Sequence, residues 1–238
     1  MGNDLISVII PAYNEEKYIA KVIDSVKSQT YPSIELIVIS NGSNDKTTEI
    51  SKTYTSNVYE IKEKSAVKAL NLGIEKAKGE IISFLDADSY MKNDLLDKVC
   101  TSIKEGYVGG KAKIVPDRSN LGSKIYHNYV NFCSNLSQFL MHFNKNLQNG
   151  AGAFMFTDRE NIQKLKSKYG TVFREDIETM YDVDFLRKLS KEGKIKFIKE
   201  SHIVTSTRRF DKEGYIKRFF KDYIEYLSPR GKRRDAQR

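Results

Sequence analysis

Gly79-Glu80-Ile81-Ile82-Ser83-Phe84-Leu85-Asp86-Ala87-Asp88-Ser89 is the stretch that decides the fold. Ile81 to Leu85 is a short apolar run between a charged start and an acidic stop. Runs of this kind, apolar without alternation, belong to strands covered on both faces, as in a parallel sheet flanked by helices. Asp86 and Asp88 follow two residues apart. If extended backbone continues past Leu85, both carboxylates point the same way. Two such carboxylates repel each other unless a proton or cation lies between them. A hard divalent ion holding a diphosphate would satisfy them, and a pair of solvated loop acids is the plain alternative.

Working outward toward the N-terminus, the same alternation recurs. Leu5 to Ile10 is a strand stopped by Pro11-Ala12-Tyr13-Asn14, and Ile19, Val22, Ile23 and Val26 keep helical spacing, with Asn14 as the expected cap. Ile34 to Ile39 is a second β-branched run, ended by Ser40-Asn41-Gly42-Ser43-Asn44-Asp45. A helix over 47–54, a short strand over 58–61 and a helix over 66–77 lead to the central strand, and Leu95, Leu96, Val99 and Ile103 mark a helix beyond it. Four strand–helix alternations with short connections predict a doubly wound α/β sheet, whose ligands bind beyond the carboxyl ends of the strands. The loops at Pro11, Ser40 and Asp86 all fall on that edge.

The second half is less regular. A strand over 107–115 is interrupted by Gly109-Gly110, and an aromatic-rich amphipathic helix runs over 125–143. A turn at Gly150 to Ala153 precedes the strand Phe154-Met155-Phe156. Helices from Asp158 and over 181–192 follow, then two short strands near Ile195 and Ile203. A last helix over 212–227 aligns Tyr215, Ile216, Phe219, Phe220, Tyr223, Ile224 and Leu227 on one face, ahead of a basic tail.

Forty Lys and Arg against 31 Asp and Glu leave a formal charge of +9, concentrated late in the 238 residues. That balance suits a polyanionic partner: a nucleoside diphosphate, a nucleic acid or an anionic membrane surface. Neither a recognition helix nor a stacking platform is evident, so no nucleic acid is expected. Cys100 and Cys133 have no metal-ligand spacing and read as buried free thiols in a reducing compartment. The first residues lead straight into a strand, so no leader is expected, and no apolar run is long enough to span a bilayer.

The ordered set of motifs resembles the family 2 inverting glycosyltransferases of GT-A fold, which transfer sugar from a nucleotide-sugar donor. Val8 to Glu15, Asn41-Gly42-Ser43 with Asp45, Ala69 to Gly73, and Phe84 to Asp88 carry the likeness, and Tyr181 to Asp184 extends it more weakly. The resemblance implies a GT-A domain over 1–211, made of a nucleotide-sugar half (1–106) and an acceptor half (107–211), with an appended amphipathic helix and tail (212–238). It implies that Pro11, Tyr13 and Glu15 cradle the base, with Tyr13 against it, and that Asn41 meets base or ribose. The family usually has an acid at 40 or 41, where this chain has Ser40-Asn41. Lys68 and Asn71 would face the donor, or Lys68 could be a solvated helix lysine.

Asp86 would lie toward ribose and metal, Asp88 on the metal (Mn²⁺ or Mg²⁺), and His202 is a candidate third ligand. Arg208 and Arg209 would grip the diphosphate, since guanidinium groups bind phosphate oxygens bidentately. The family's base is the aspartate of a Glu-Asp pair at a helix start. Asp182 stands there, with Tyr181 in the glutamate's place. Asp182 also shares a helical face with Phe185, Leu186 and Leu189, whereas Asp184 pairs with Lys188 and Glu175-Asp176 is the rival.

The implied activity is metal-assisted transfer from a UDP-sugar, or less readily a GDP-sugar, to a lipid-linked or protein-linked glycan. The expected location is the cytoplasm, with 212–238 either packed on its own domain or in peripheral contact with the inner face of an anionic membrane. The alternative is a degenerate, non-catalytic module that binds a nucleotide sugar or a membrane surface. A nucleotidyltransferase would want a glycine-rich loop after the first strand, which Pro11 to Glu15 is not.

Overall fold

The computed structural model describes residues 4–118, 120–140, 152–177, 179–208, 213–215 and 217. The first half runs β1 (Ile6–Ala12), α1 (Ile19–Lys27), β2 (Ile34–Asn41), α2 (Thr47–Tyr54), β3 (Val58–Ile61), α3 (Ala66–Lys76), β4 (Ile81–Leu85), β5 (Ser89–Met91) and α4 (Leu95–Lys104). The second half adds β6 (Gly109–Pro116), α5 (Leu121–Leu140), β7 (Phe154–Asp158), α6 (Arg159–Tyr169), α7 (Tyr181–Glu192) and β8 (Ile195–Thr205).

All eight strands of the described residues form one mixed sheet in the order β3-β2-β1-β4-β7-β6-β8-β5. β3, β2, β1 and β4 are parallel, β7 runs antiparallel to β4 and β6, β8 is parallel to β6, and β5 is antiparallel to β8. Along β1, Val8 and Ile10 pack with Val22 and Val26 of α1 and with Leu96 and Val99 of α4, while Ile9 packs on the other face with Leu70 and Ile74 of α3 and Phe185 of α7. Helices on both faces explain why these strands are apolar throughout. Gly73 lies where α3 crosses β1, and a Cβ there would come 2.3 Å from Ile9 Cγ2. The glycine of the Ala69–Gly73 motif therefore sets how closely helix meets strand.

The sheet has to curl. β4 and β5 are four places apart in it, about 19 Å if it were flat. The four steps from Leu85 to Ser89 span at most about 14 Å. In fact the Ser89 N–H donates to the Asp86 carbonyl at 3.0 Å, making residues 86–89 a tight turn. The acidic stretch is thus the hinge on which the sheet closes, and not the extended continuation that its spacing suggested. β5 has no signal of its own: three residues held by β8 form a strand only because β8 is there.

Three other local expectations change. Gly109 and Gly110 open β6 instead of interrupting it, lying where a Cβ would strike Phe156 O of β7 or Lys196 O of β8. The two short late strands are one strand, β8, with a register irregularity opposite Ala112 and Lys113. Asn14 does not cap α1, which begins at Ile19 after Tyr18 without a side-chain cap. The amphipathic helix expected over 212–227 falls almost wholly outside the described residues.

Candidate active site

β1, β2 and β4 run parallel, so the loops after Ala12, Asn41 and Leu85 emerge at one edge. The first two are knitted together. The Asn14 and Glu15 N–H groups donate to Ser43 Oγ (3.1 Å) and Thr47 Oγ1 (2.7 Å), and the Glu16 N–H donates to Asp45 Oδ2 (3.1 Å). Asn44 N–H donates back to Asn14 Oδ1 (2.9 Å). This exchange is where the cap side chain of Asn14 goes, and Asn14 accepts a left-handed φ of 54° to make it. Asp45 Oδ1 also receives the Thr47 N–H and hydroxyl (2.9 and 2.5 Å). Burial works against the Asp45 charge, but the bonds from Thr47 and Glu16 outweigh it and hold the carboxyl below its ordinary range. A lowered folded pKa contributes stability that is complete above the unfolded value and lost as pH falls through the folded one. Asp45→Ala is therefore expected to cost about 1 kcal/mol at neutral pH. The deficit should shrink below about pH 4, as urea unfolding at the two pH values would measure.

Within this frame Tyr13 is half-buried, with Lys64 Nζ 4.1 Å from its ring centroid. Pro11 pairs with Ile39 in the sheet. Asn41, the last residue of β2, is 4% exposed, and its Oδ1 is buried without a hydrogen-bond partner. Neighbouring Ser40 is engaged instead, accepting from Thr48 Oγ1 at 2.7 Å. A buried carbonyl oxygen left open is costly, and is normally explained by a ligand or water that answers it.

The acidic turn is met from the far end of the chain. Ser206 N–H donates to the Asp88 carbonyl (3.2 Å), carrying the segment after β8 across the turn. Arg208 NH2 then lies 3.2 Å from Asp88 Oδ2 and pairs with Glu15 Oε1, while its guanidinium covers the Tyr18 ring at 4.7 Å. Burial opposes the Arg208 charge, but Glu15 and Asp88 more than offset it, so its pKa is raised and it is a fixed cation. Three segments separated by up to 193 residues thus meet on one guanidinium.

Beside the turn stands the start of α7. Asp182 is half-buried, and its Oδ2 accepts the Gly152 N–H at 2.8 Å. The next residue, Ala153, accepts the Asp86 N–H at 3.0 Å. Met180, just before α7, holds a left-handed φ of 61°. In a non-glycine residue that strain persists where tertiary contacts impose it. Phe185, Leu186 and Leu189 are fully buried below Asp182. Asp184 pairs with Lys188 at 2.7 Å, and the rival Asp176 pairs with Arg174 at 2.6 Å in a half-exposed bridge.

A family model described as "Glycosyl transferase family 2" matches residues 7–166. The chain belongs to glycosyl transferase family 2. An uncharacterized glycosyltransferase of Haemophilus influenzae is 40% identical over 104 residues, 41% of this chain and 42% of that protein. The chain thus spans less than half the length of that relative. A Methanococcus voltae relative is 25% identical over 96% of this chain and 73% of its own length, and is described as a dolichyl N-acetyl-alpha-D-glucosaminyl phosphate 3-beta-D-2,3-diacetamido-2,3-dideoxy-beta-D-glucuronosyltransferase. Among solved structures, the mannosyltransferase PcManGT of Pyrobaculum calidifontis, in complex with GDP-Man and Mn²⁺, superposes with a TM-score of 0.68 at 19% identity, over 98% of this chain and 67% of that one. The fold is that of GT-A glycosyltransferases.

Other residues expected at the donor make contacts within the protein. Asn71 spends both ends of its amide on the backbone of Phe173, donating to O (2.8 Å) and accepting from N (3.1 Å), so it clamps the 171–177 loop to α3. Lys68 Nζ pairs with Glu63 at 3.1 Å in an exposed bridge, its solvated alternative. His202 lies beside Lys92, Lys113 and Asp94. It is four residues before Ser206 on β8, about 13 Å along the strand from the Asp88 end. Arg209 lies outside the described residues. Residues that spacing did not single out are Lys64, Gly152 and Lys111, a buried lysine of β6. Of these, Gly152 alone had a hint, in the permissive Gly150–Ala153 run.

Proposed function

We propose that this family 2 glycosyltransferase moves a sugar, with inversion, from a UDP-sugar to a hydroxyl of a lipid-linked or protein-linked glycan by metal-assisted single displacement. One observation carries the proposal. Two adjacent residues, Gly152 and Ala153, hydrogen-bond respectively to Asp182 and to the backbone of Asp86. Base and acidic turn are therefore rigidly spaced, as a displacement with donor and acceptor on opposite sides of one carbon requires.

A divalent ion at the acidic turn is part of this reading. A cationic group already rests on Asp88, and among the described residues no group of three or more His, Cys, Asp and Glu could cage a metal alone. Asp86 and Asp88 would hold the ion. Bound Mn²⁺ or Mg²⁺ supplies Lewis-acid charge where the nucleoside diphosphate departs. Arg208 turns from Asp88 toward the diphosphate, joined by Arg209, and Glu15 keeps it within reach. Tyr13 stacks on the base and Lys64 yields that face. Asn41 Oδ1 accepts one ring N–H, which suits uracil. The adjacent N1–H and N2–H of guanine ask for the carboxylate that Asn41 lacks. Asp182 takes the proton of the acceptor hydroxyl.

A lipid-linked acceptor is supported by the Methanococcus voltae relative, whose described acceptor is a dolichyl phosphate sugar. The +9 charge and residues 212–238 support peripheral contact with the inner face of a membrane. Among the described residues no helix is long and apolar enough to cross one. Thermal-shift measurements with UDP, GDP and ADP, with and without Mn²⁺, test the proposal. UDP with Mn²⁺ should raise Tm by about 5 °C or more at saturation, and UDP-sugar hydrolysis should follow. No nucleotide shift under any condition would sink it, and binding without turnover would favour the non-catalytic alternative.

A further inference from the structure

β6 carries a lysine into the interior. Lys111 is 2% exposed, in register with Met155 of β7 and Phe197 of β8, neither of which is charged. A buried ammonium is expensive unless a counter-charge answers it. β6 has no acid of its own in Gly109–Pro116. Among the described residues, the titratable groups that act on Lys111 are Asp182 from α7 and Cys133 from α5, and of these Asp182 is the carboxylate.

Gly152 explains how a helix start and a strand interior come together. Its N–H holds Asp182 Oδ2, and a Cβ there would lie 2.5 Å from Asp182 Cβ and 3.1 Å from Met155 Sδ. Asp182 and Met155, the cross-strand neighbour of Lys111, therefore pack on the same glycine. We infer that Lys111 is the positioning residue of the base: a buried cation that holds the Asp182 carboxylate turned toward the acceptor, an assignment resting on Asp182 being that base. Burial pushes the Lys111 ammonium down to about 8, against the pull of Asp182. Its proton therefore leaves as pH rises through that value, and the carboxylate loses its partner.

Hydrolysis of UDP-GlcNAc, UDP-Glc, UDP-Gal and GDP-Man with Mn²⁺ by the full chain, between about pH 5 and pH 10, reads this out. Lys111→Met should lower kcat about 100-fold, near the lower end of what a general base contributes, with donor KM within about twofold. It should lack the fall in rate above about pH 8 that loss of the Lys111 proton causes. The unsubstituted protein should lose rate above about pH 8. Lys111→Arg, whose cation does not titrate there, should keep that rate. An unchanged profile in Lys111→Met, or a donor KM that rises in step with the loss of kcat, would overturn the assignment.

A thermal cycle of Lys111→Met, Asp182→Asn and the double variant gives a reading independent of turnover. The double should melt above Lys111→Met, because neutralising Asp182 removes the uncompensated charge. Additive losses would overturn the pairing. If the unsubstituted protein turns over none of the donors, the proposed function fails, while the cycle still decides whether Lys111 holds Asp182.

Discussion

Replacing Asp88 by alanine is expected to lower turnover of a UDP-sugar by at least about 10³-fold and to abolish the Mn²⁺-dependent part of UDP binding. The fold should survive. The turn is made by backbone bonds, Ser89 N–H to Asp86 and Ser206 N–H to the Asp88 carbonyl, and neither uses the lost carboxylate. Arg208 keeps its partner Glu15. The loss is thus confined to the carboxylate that would hold the metal at the leaving group. Stability should fall by no more than about 1 kcal/mol, the scale of a partly exposed ion pair. Thermal shifts with UDP in the presence and absence of Mn²⁺, beside a hydrolysis assay, measure both effects. A Mn²⁺-coupled UDP shift that survives Asp88→Ala would show that the acidic turn is not where the ion acts.

Asp182→Asn should show the complementary split. Transfer and hydrolysis fall by about 10²- to 10⁴-fold, the contribution of a general base, while UDP affinity stays within about twofold. Asparagine is the informative substitution because its Oδ1 can still accept the Gly152 N–H that Asp182 accepts at 2.8 Å. The Gly152 contact is kept, while the proton affinity and the counter-charge to Lys111 are lost. If UDP binding collapsed together with the rate, Asp182 would instead be a structural link between α7 and the Gly152 turn.

Much of this site was legible from the chain. Asn14, Ser43 and Asp45 stand in motifs whose spacing marks loops after strands, and those loops do exchange hydrogen bonds at one sheet edge. Asp184 could be set aside in favour of Asp182 because helical spacing aims it at Lys188, and the pair is formed. Elsewhere the chain gave no sign of the long-range partners that individual residues meet. Asn71 was expected to face the donor, and its amide makes one bond each way with the backbone of Phe173, 102 residues away. His202 sat on a plausible late strand, yet the pairing of β8 with β5 carries it to the far end from Asp88.

By itself the sequence determined the strand–helix alternation, the apolar faces of β1, β2 and β4, and the three loops at their carboxyl ends. Periodicity and turn chemistry are local, acting over a few residues. Only the tertiary structure decided that the acidic turn is the hinge of a curled sheet, that Arg208 lies on Asp88, and that Lys111 faces Asp182. Those meetings depend on which strands lie side by side. Strand order follows from burying both faces of the whole sheet at once, a condition that no single stretch of the chain contains.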